Sequence, residues 1–593
     1  MAVIAENALP QKRRRAPGRQ TPVLIGTLLV GVPLVVFVLW PLTAILMRSF
    51  ATPEGLGLDN YLSVMATARF QRIFWNSLDI TLVSTLIAVL AAFGFAYGVQ
   101  RTLMPGKALF RFLVLIPLFA PSLVQAQGLV LLFGRNGLIN RTFGTSIDIY
   151  GYWGIVLAMV LYVLPYAFLI LSTALAVADQ RLFESARMLG AGHFRIFRTV
   201  TLPATRYGLA AAIFVCFTLV ITDFGNPMVI GANYNVLATE IYNQVIGQAN
   251  FERGAVIGMV LLVPAAIAAI WEKYLSRRQY ALISDQSKPL EIRPSPRRDW
   301  AFSAFCGLIC LAIVSVVAVV IYASFVHLWP YRMTFSLRHY QFDVQNGIQP
   351  LWNSIYISLM AAVIGVVVVT AASYVIEKLK SPATRWLYFL SILPAAVPGM
   401  VLGLGYVLAF NLPSVVNLPL LGEVTIIPKL TGGRAVFGGA AAIVLVFIVR
   451  SVPAALRAGT AALSQIDPSI EEASISLGAD NARTFRKITL PLIRPAFLAG
   501  LIYAFARSMT TISAIIFLTT PQTKIMTAQI LNEVENGRYG NAFAYCVILI
   551  LIGLVKPFRG GDGNWKPWPA WLRYSLFAIG ALNITAALFG YIG

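Results

Sequence analysis

Charge is scarce in this chain. Of 593 residues only 12% are Asp, Glu, Lys or Arg, while 58% are apolar; an ordinary soluble domain carries about 25% charged residues. So little charge cannot cover a water-soluble globule of this length, and the apolar excess needs an apolar solvent. A disordered chain, a collagen-like fibre and a coiled coil are excluded on the same ground. Cysteine is nearly absent. Cys216, Cys306, Cys310 and Cys546 all fall in apolar runs, where packing is their ordinary use, and a disulfide-stapled secreted domain is excluded. The three histidines, His193, His327 and His339, show no ligand spacing, so no metal site is expected. The chain also lacks a GxxxxGK[ST] phosphate loop. The nearest segment, Pro105-Gly106-Lys107-Ala108, has neither the spacing nor the hydroxyl. HExxH, a CxxC pair and a nucleophile elbow are missing too. No catalysis, ATP hydrolysis or cofactor is therefore expected of the chain itself.

What the chain has in abundance is long apolar runs. A helix needs about 20 apolar residues to cross a hydrocarbon core, and lipid leaves helices as the spanning form here. Twelve runs qualify: 23–47, 78–100, 110–133, 153–176, 206–226 and 254–272, then 301–325, 354–376, 386–410, 437–462, 495–518 and 541–555. The expectation is an all-α polytopic membrane protein. The net charge of +22 would suggest a polyanionic partner in a soluble protein. In a membrane protein it reads as positive charge gathered in cytoplasmic loops, with no role in binding nucleic acid. The basic segment 1–22, holding Lys12, Arg13, Arg14, Arg15 and Arg19, precedes an uncleaved first span and places the N-terminus in the cytoplasm. Counting spans then puts the basic loops 101–109, 177–205 and 273–300 on that same side.

The chain repeats itself. Trp75, Asn76 and Ser77 map onto Trp352, Asn353 and Ser354, an offset of 352 − 75 = 277. At this offset Tyr97 meets Tyr374, Pro117 meets Pro394 and Pro121 meets Pro398. Two halves, 23–272 and 301–555, are thus joined by a basic, proline-bearing linker at 273–300. Each half opens with one less similar span. Further on the offset becomes 472 − 184 = 288, so an insertion of 288 − 277 = 11 residues is expected near 411–436.

That second offset aligns the two longest basic loops, 179–205 and 467–493. Glu184 meets Glu472, Gly190 meets Gly478, Phe197 meets Phe485 and Pro203 meets Pro491. Each loop reads as helix, turn, helix. Asp179 or Asp467 caps the short helix, Gly190 or Gly478 makes the turn, and Pro203 or Pro491 begins the next span where a missing donor is tolerated. A pair of surface-lying connectors is the plainer reading, but one spacing kept in two copies argues for a shared task.

The pattern Glu184, Ala186, Gly190, Pro203, matched by Glu472, Ala473, Gly478, Pro491, resembles the EAA loop of bacterial ABC-importer permeases of the MetI-like, type I class. Ser185 and Ser474 are mild departures. The resemblance runs to about residue 555. It implies two tandem six-helix halves in the inner membrane and coupling helices seated on two separate ATP-binding subunits. It also implies a periplasmic substrate-binding protein that docks outside. Two halves in one chain resemble the fused permeases of ferric-iron and 2-aminoethylphosphonate import. The segment Asp223–Gln248 looks most like the second, making a phosphonate the expected substrate and ferric iron the alternative. A secondary transporter with two six-span halves would leave the twin loops unexplained.

Polar groups inside spans are costly and often functional. Asp223, Asn226, Asn76 and Asn353 are the candidate lining of a solute path; helix capping and interhelical hydrogen bonds are their alternative use. The tail 556–593 departs from the repeat, and its apolar run near 571–593 is either an extra span or a divergent end.

Overall fold

The computed structural model describes residues 20–176, 180–280, 292, 294–341, 347–379, 382–418 and 422–554. The expectations for segment 1–22 up to residue 19, for Asp179, for residues 281–291 and 293 of the 273–300 linker and for the 556–593 tail fall outside them.

The protein is helical, as the apolar runs require. The first half comprises α1 (Gly26–Phe50), α2 (Ala68–Arg101), α3 (Lys107–Phe119), α4 (Leu123–Phe133), α5 (Tyr152–Ala176), α6 (Gln180–Met188), α7 (His193–Ile221), α8 (Gly225–Ile230), α9 (Leu237–Tyr242) and α10 (Phe251–Tyr280). The second half comprises α11 (Pro296–Ser324), α12 (Gln349–Leu379), α13 (Ala383–Ala395), α14 (Gly399–Phe410), α15 (Ala440–Ser464), α16 (Pro468–Ser476), α17 (Ala482–Thr510), α18 (Met526–Glu535) and α19 (Tyr539–Leu554). Among the described residues, nine helices are long and apolar enough to cross a membrane, and two bent pairs bring the number to 11. The last apolar helix, within Tyr539–Gly553, is shorter than these.

Three of the expected spans need correction. The runs 110–133 and 386–410 are broken helices: α3 and α4 meet at 106°, α13 and α14 at 110°. The cause is local. Pro121 forces Ala120 into extended backbone (φ −109°, ψ 144°), and Pro398 itself is extended (ψ 141°), because a proline ring disfavours a helical predecessor and donates no N–H. The run 495–518 ends as helix at Thr510; the next regular helix, α18, starts at Met526. The extra residues near 411–436 form an antiparallel hairpin, Ser414–Leu418 with Gly422–Ile427, in which Val416 faces Val424.

The first span of each half reaches across to the other repeat while also packing on the last helix of its own, α1 on α10 and α11 on α19. Helix α1 lies against α14, where the Tyr406 hydroxyl donates to the Phe37 carbonyl at 2.8 Å. Helix α11 lies against α4 in the same manner. Glycine permits both crossings: a Cβ on Gly405 would stand 2.7 Å from the Pro41 carbonyl oxygen, and one on Gly128 would stand 2.5 Å from that of Val316. Gly128 and Gly405 are partners at the 277 offset. Small residues at such crossings let backbones approach in a solvent that gives helices no hydrophobic reason to associate.

Candidate coupling loops and solute path

Both basic loops fold as helix, turn, helix, and they terminate their short helices identically. In the first, Gly190 has φ +73°, its N–H donates to the Arg187 carbonyl, and the Ala191 N–H donates to that of Ala186. In the second, Gly478 has φ +84°, its N–H donates to Ile475, and the Ala479 N–H donates to Ser474. This pair of bonds is the Schellman termination, which places a left-handed residue just past the helix end. Asp467 caps α16 by accepting from the Ser469 N–H at 2.9 Å. That bond holds the Asp467 carboxyl below the usual carboxylate range, as hydrogen bonding to the charged form does.

Pro203 and Pro491 do not begin their spans. Helix already runs from His193 and Ala482, and each proline sits just after a π-helical turn, Phe197–Thr201 or Phe485–Thr489. There the Leu202 N–H reaches back to the Phe197 carbonyl and the Leu490 N–H to that of Phe485. A widened turn accommodates a residue that has no N–H to give.

The two loops are tied to their neighbouring spans at matched positions. Tyr97 on α2 meets Phe197 edge-on at 6.1 Å, and Tyr374 on α12 meets Phe485 at 4.9 Å. Beside these, Arg101 stacks over the Phe183 ring at 4.9 Å and donates to the Leu175 carbonyl at 2.8 Å. The repeat partners Lys378 and Glu471 form an ion pair at 2.8 Å, and Glu471 also accepts from the Thr489 hydroxyl. Ala186 packs with the buried pair Phe183 and Ile196, whereas their partners at Ser474 and Thr484 share a hydrogen bond at 2.9 Å. One geometry is therefore held by an apolar cluster in the first half and by a polar network in the second.

The faces turned away from the spans are bare. Glu184, Glu472 and Ala473 are exposed; Glu184 accepts from Gln180, one turn back on its own helix. Leu189 is 85% exposed and its partner Leu477 is 89% exposed.

Deep between the halves lies a cavity of about 110 Å³. It sits at the two helix breaks, lined by Ala120 and its partner Val397. Asp223, buried just beyond the end of α7, reaches it, as do Tyr162, Tyr166, Arg450 and Arg507. Asn226 does not line it. This fully buried side chain instead donates to Asp223 from its backbone N–H at 3.0 Å and its amide at 3.1 Å.

Two segments of the chain, 84–280 and 368–557, match the model of the family described as binding-protein-dependent transport system inner membrane component. Together they cover about two thirds of the residues, one match to each half. The chain belongs to that family. The permease is 29% identical over 546 residues to a ferric transport system permease protein of Actinobacillus pleuropneumoniae, covering 89% of this chain and 76% of that one. To a putative ferric transport system permease protein of Haemophilus influenzae it is 28% identical, covering 85% of this chain and 79% of the other. A putative ferric transport system permease-like protein of Escherichia coli is 58% identical over 94 residues, which span 16% of this chain and 78% of that one.

Asn76 and Asn353 in the permease have a different place from Asp223. Asn76 donates its amide to the Asn235 carbonyl at 3.2 Å, and Asn353 donates to that of Lys524 at 3.0 Å. The adjoining hydroxyls of Ser77 and Ser354 accept from the Leu237 and Met526 N–H groups, both at 2.7 Å. These residues fasten the starts of α9 and α18 to α2 and α12, and neither asparagine lines the cavity. Arg450 and Arg507 do line it, yet the internal repeat does not point to them, because their partners are Tyr162 and Leu219. Their signal in the sequence is a charge inside an expected span.

The Lys378–Glu471 pair is mostly shielded, with side-chain exposures of 21% and 17%. Between exposed and buried pairs in worth, it should contribute about 1–2 kcal/mol to holding α16. Lys378→Met is expected to speed hydrogen exchange across 468–476 while leaving 180–188 unchanged. Equal protection of 468–476 in variant and parent would show that the pair holds nothing.

Proposed function

We propose that this permease forms the membrane path of a binding-protein-dependent ferric-iron importer, powered by separate ATP-hydrolysing subunits. The carrying observation is the pair of Schellman-ended helices, α6 and α16, each with an exposed glutamate and an exposed leucine just past its end, and each followed by a helix, α7 or α17, that an aromatic pair clamps to the neighbouring span. With the bent pair α13–α14 taken as one crossing, six crossings (α7, α10, α11, α12, α13–α14 and α15) separate the two loops, which puts them on one side. The positive charge of those loops supports the cytoplasm as that side. An exposed apolar tip on a rigid base is suited to docking. ATP-driven approach of two docked subunits would draw α6 and α16 together and turn α7 and α17, continuous helices that carry the motion to the cavity. The outer side then opens to a loaded periplasmic binding protein, and hydrolysis resets the path inward.

The relatives favour ferric iron over the 2-aminoethylphosphonate reading. Proteoliposomes holding the permease with its ATPase partner should accumulate ⁵⁵Fe from an iron-loaded binding protein only when MgATP is supplied on the loop side. Uptake at the same rate without nucleotide would overturn the importer reading. Uptake of 2-aminoethylphosphonate in place of iron would overturn the choice of substrate.

A further inference from the structure

The cavity between the halves has walls that obey the internal repeat and chemistry that breaks it. Ala120 pairs with Val397 and Thr222 with Thr510, so the space straddles the relation between the halves. At three other positions the partners differ in charge: Tyr162 against Arg450, Leu219 against Arg507, and Asp223 against Thr511. The second half alone supplies the positive groups.

Those groups lack a counter-charge. Among the described residues, neither Arg450 nor Arg507 has a carboxylate within 4.0 Å. Arg507 shares the cavity wall with Tyr162 and Tyr166, whose hydroxyls carry no charge at neutral pH. The buried Nε of Arg450 has no partner. Asp223 does not serve, because its carboxylate accepts from Asn226 twice. Two guanidinium groups in one membrane-embedded space, each repelling the other, are costly unless an anion joins them. Guanidinium is also the side chain whose planar fork matches the oxygens of a carboxylate or phosphate.

We infer that this cavity is a binding site for a small oxyanion, held between Arg450 and Arg507 with the two tyrosine hydroxyls as further donors. This rests on the importer reading and narrows its substrate class. A bare trivalent cation would meet repulsion from both arginines, so iron entering here is carried with anionic oxygen ligands. A free oxyanion and an anion bound to the ferric ion present the same oxygens to the site.

Equilibrium binding tests this without nucleotide, on the full complex of permease and ATPase in nanodiscs. The probes are ³³P-labelled inorganic phosphate and ⁵⁵Fe-citrate, an anionic ferric chelate. At least one should bind the parent saturably. Arg450→Gln and Arg507→Gln should each weaken binding tenfold or more, and Arg450→Lys, which keeps the charge but not the fork, should fall between. Should a Gln variant not assemble, the Lys variant and competition by unlabelled phosphate carry the test. Binding of phosphate alone identifies a free oxyanion as the ligand; binding of the chelate alone shows the anion riding on the metal. Failure of both probes to bind the parent, or Gln variants that bind as tightly as it does, would overturn the site. Since no nucleotide is present, that failure is separate from a failure of ATP-driven uptake.

Discussion

Glu184→Lys combined with Glu472→Lys should abolish ATP-driven uptake while leaving the membrane domain folded. Both carboxylates are exposed, so scaffold damage is not the expected route. The cost falls on docking. Removing a central interface contact typically costs about 2–4 kcal/mol, which at about 1.4 kcal/mol per decade is a loss of roughly 30- to 1,000-fold in affinity at each loop. Leu189→Asp with Leu477→Asp should have the same outcome by a different cause, a charge placed where an apolar tip would be buried. Pull-down of the ATPase partner against tagged permease reads the loss directly, and size-exclusion profiles report folding. If either double variant still retained the ATPase in full and transported normally, α6 and α16 would not be the coupling elements.

Gly128→Leu and Gly405→Leu should each break the crossing of a first span onto the opposite half. At Gly128 the new Cβ would meet the Val316 carbonyl oxygen at 2.5 Å, and at Gly405 that of Pro41 at 2.7 Å. These are backbone atoms in helix interiors, so no side-chain rotation relieves the clash. Overpacking of a tight site costs about 1–3 kcal/mol and at times more, and here the helix must move away along with the contacts around it. The expected result is a lower midpoint of thermal unfolding in detergent and cleavage of the linker by added protease at lower enzyme concentration. Leucine at Gly247, where a Cβ would meet nothing within 4 Å, is the control and should be nearly silent. Equal stability of all three variants would mean that the close crossings do not hold the halves together.

Much of this molecule is written in short-range patterns. Spans are legible because 20-residue apolar runs stand out against any background. The loops are legible because Glu184, Gly190 and Pro203 recur as Glu472, Gly478 and Pro491 at unchanged spacing. The turn at each glycine follows from local backbone sterics, and the cap at Asp467 from a hydrogen bond two residues along the chain. Less was legible where a residue's effect depends on a neighbour. Pro121 and Pro398 sit in runs that look continuous, yet they break α3 from α4 and α13 from α14. Pro203 and Pro491 look like helix starts, yet the helix bypasses them with a π-turn. Asn76 and Asn353 left path lining and interhelical hydrogen bonding both open, and only the folded chain brings their amides to the carbonyls of Asn235 and Lys524.

By itself the sequence determined the membrane class, the duplication and the two matched loops. Hydropathy and repeat spacing are properties of segments, and they survive without knowing which segments meet. Only the tertiary structure decided that α1 and α11 each cross onto the opposite half and that Arg450 and Arg507 stand with Tyr162 and Asp223 around one cavity. Those facts join residues hundreds of positions apart. They are fixed by which backbone carbonyls can approach Gly128 and Gly405, a matter of shape in three dimensions that no local pattern encodes.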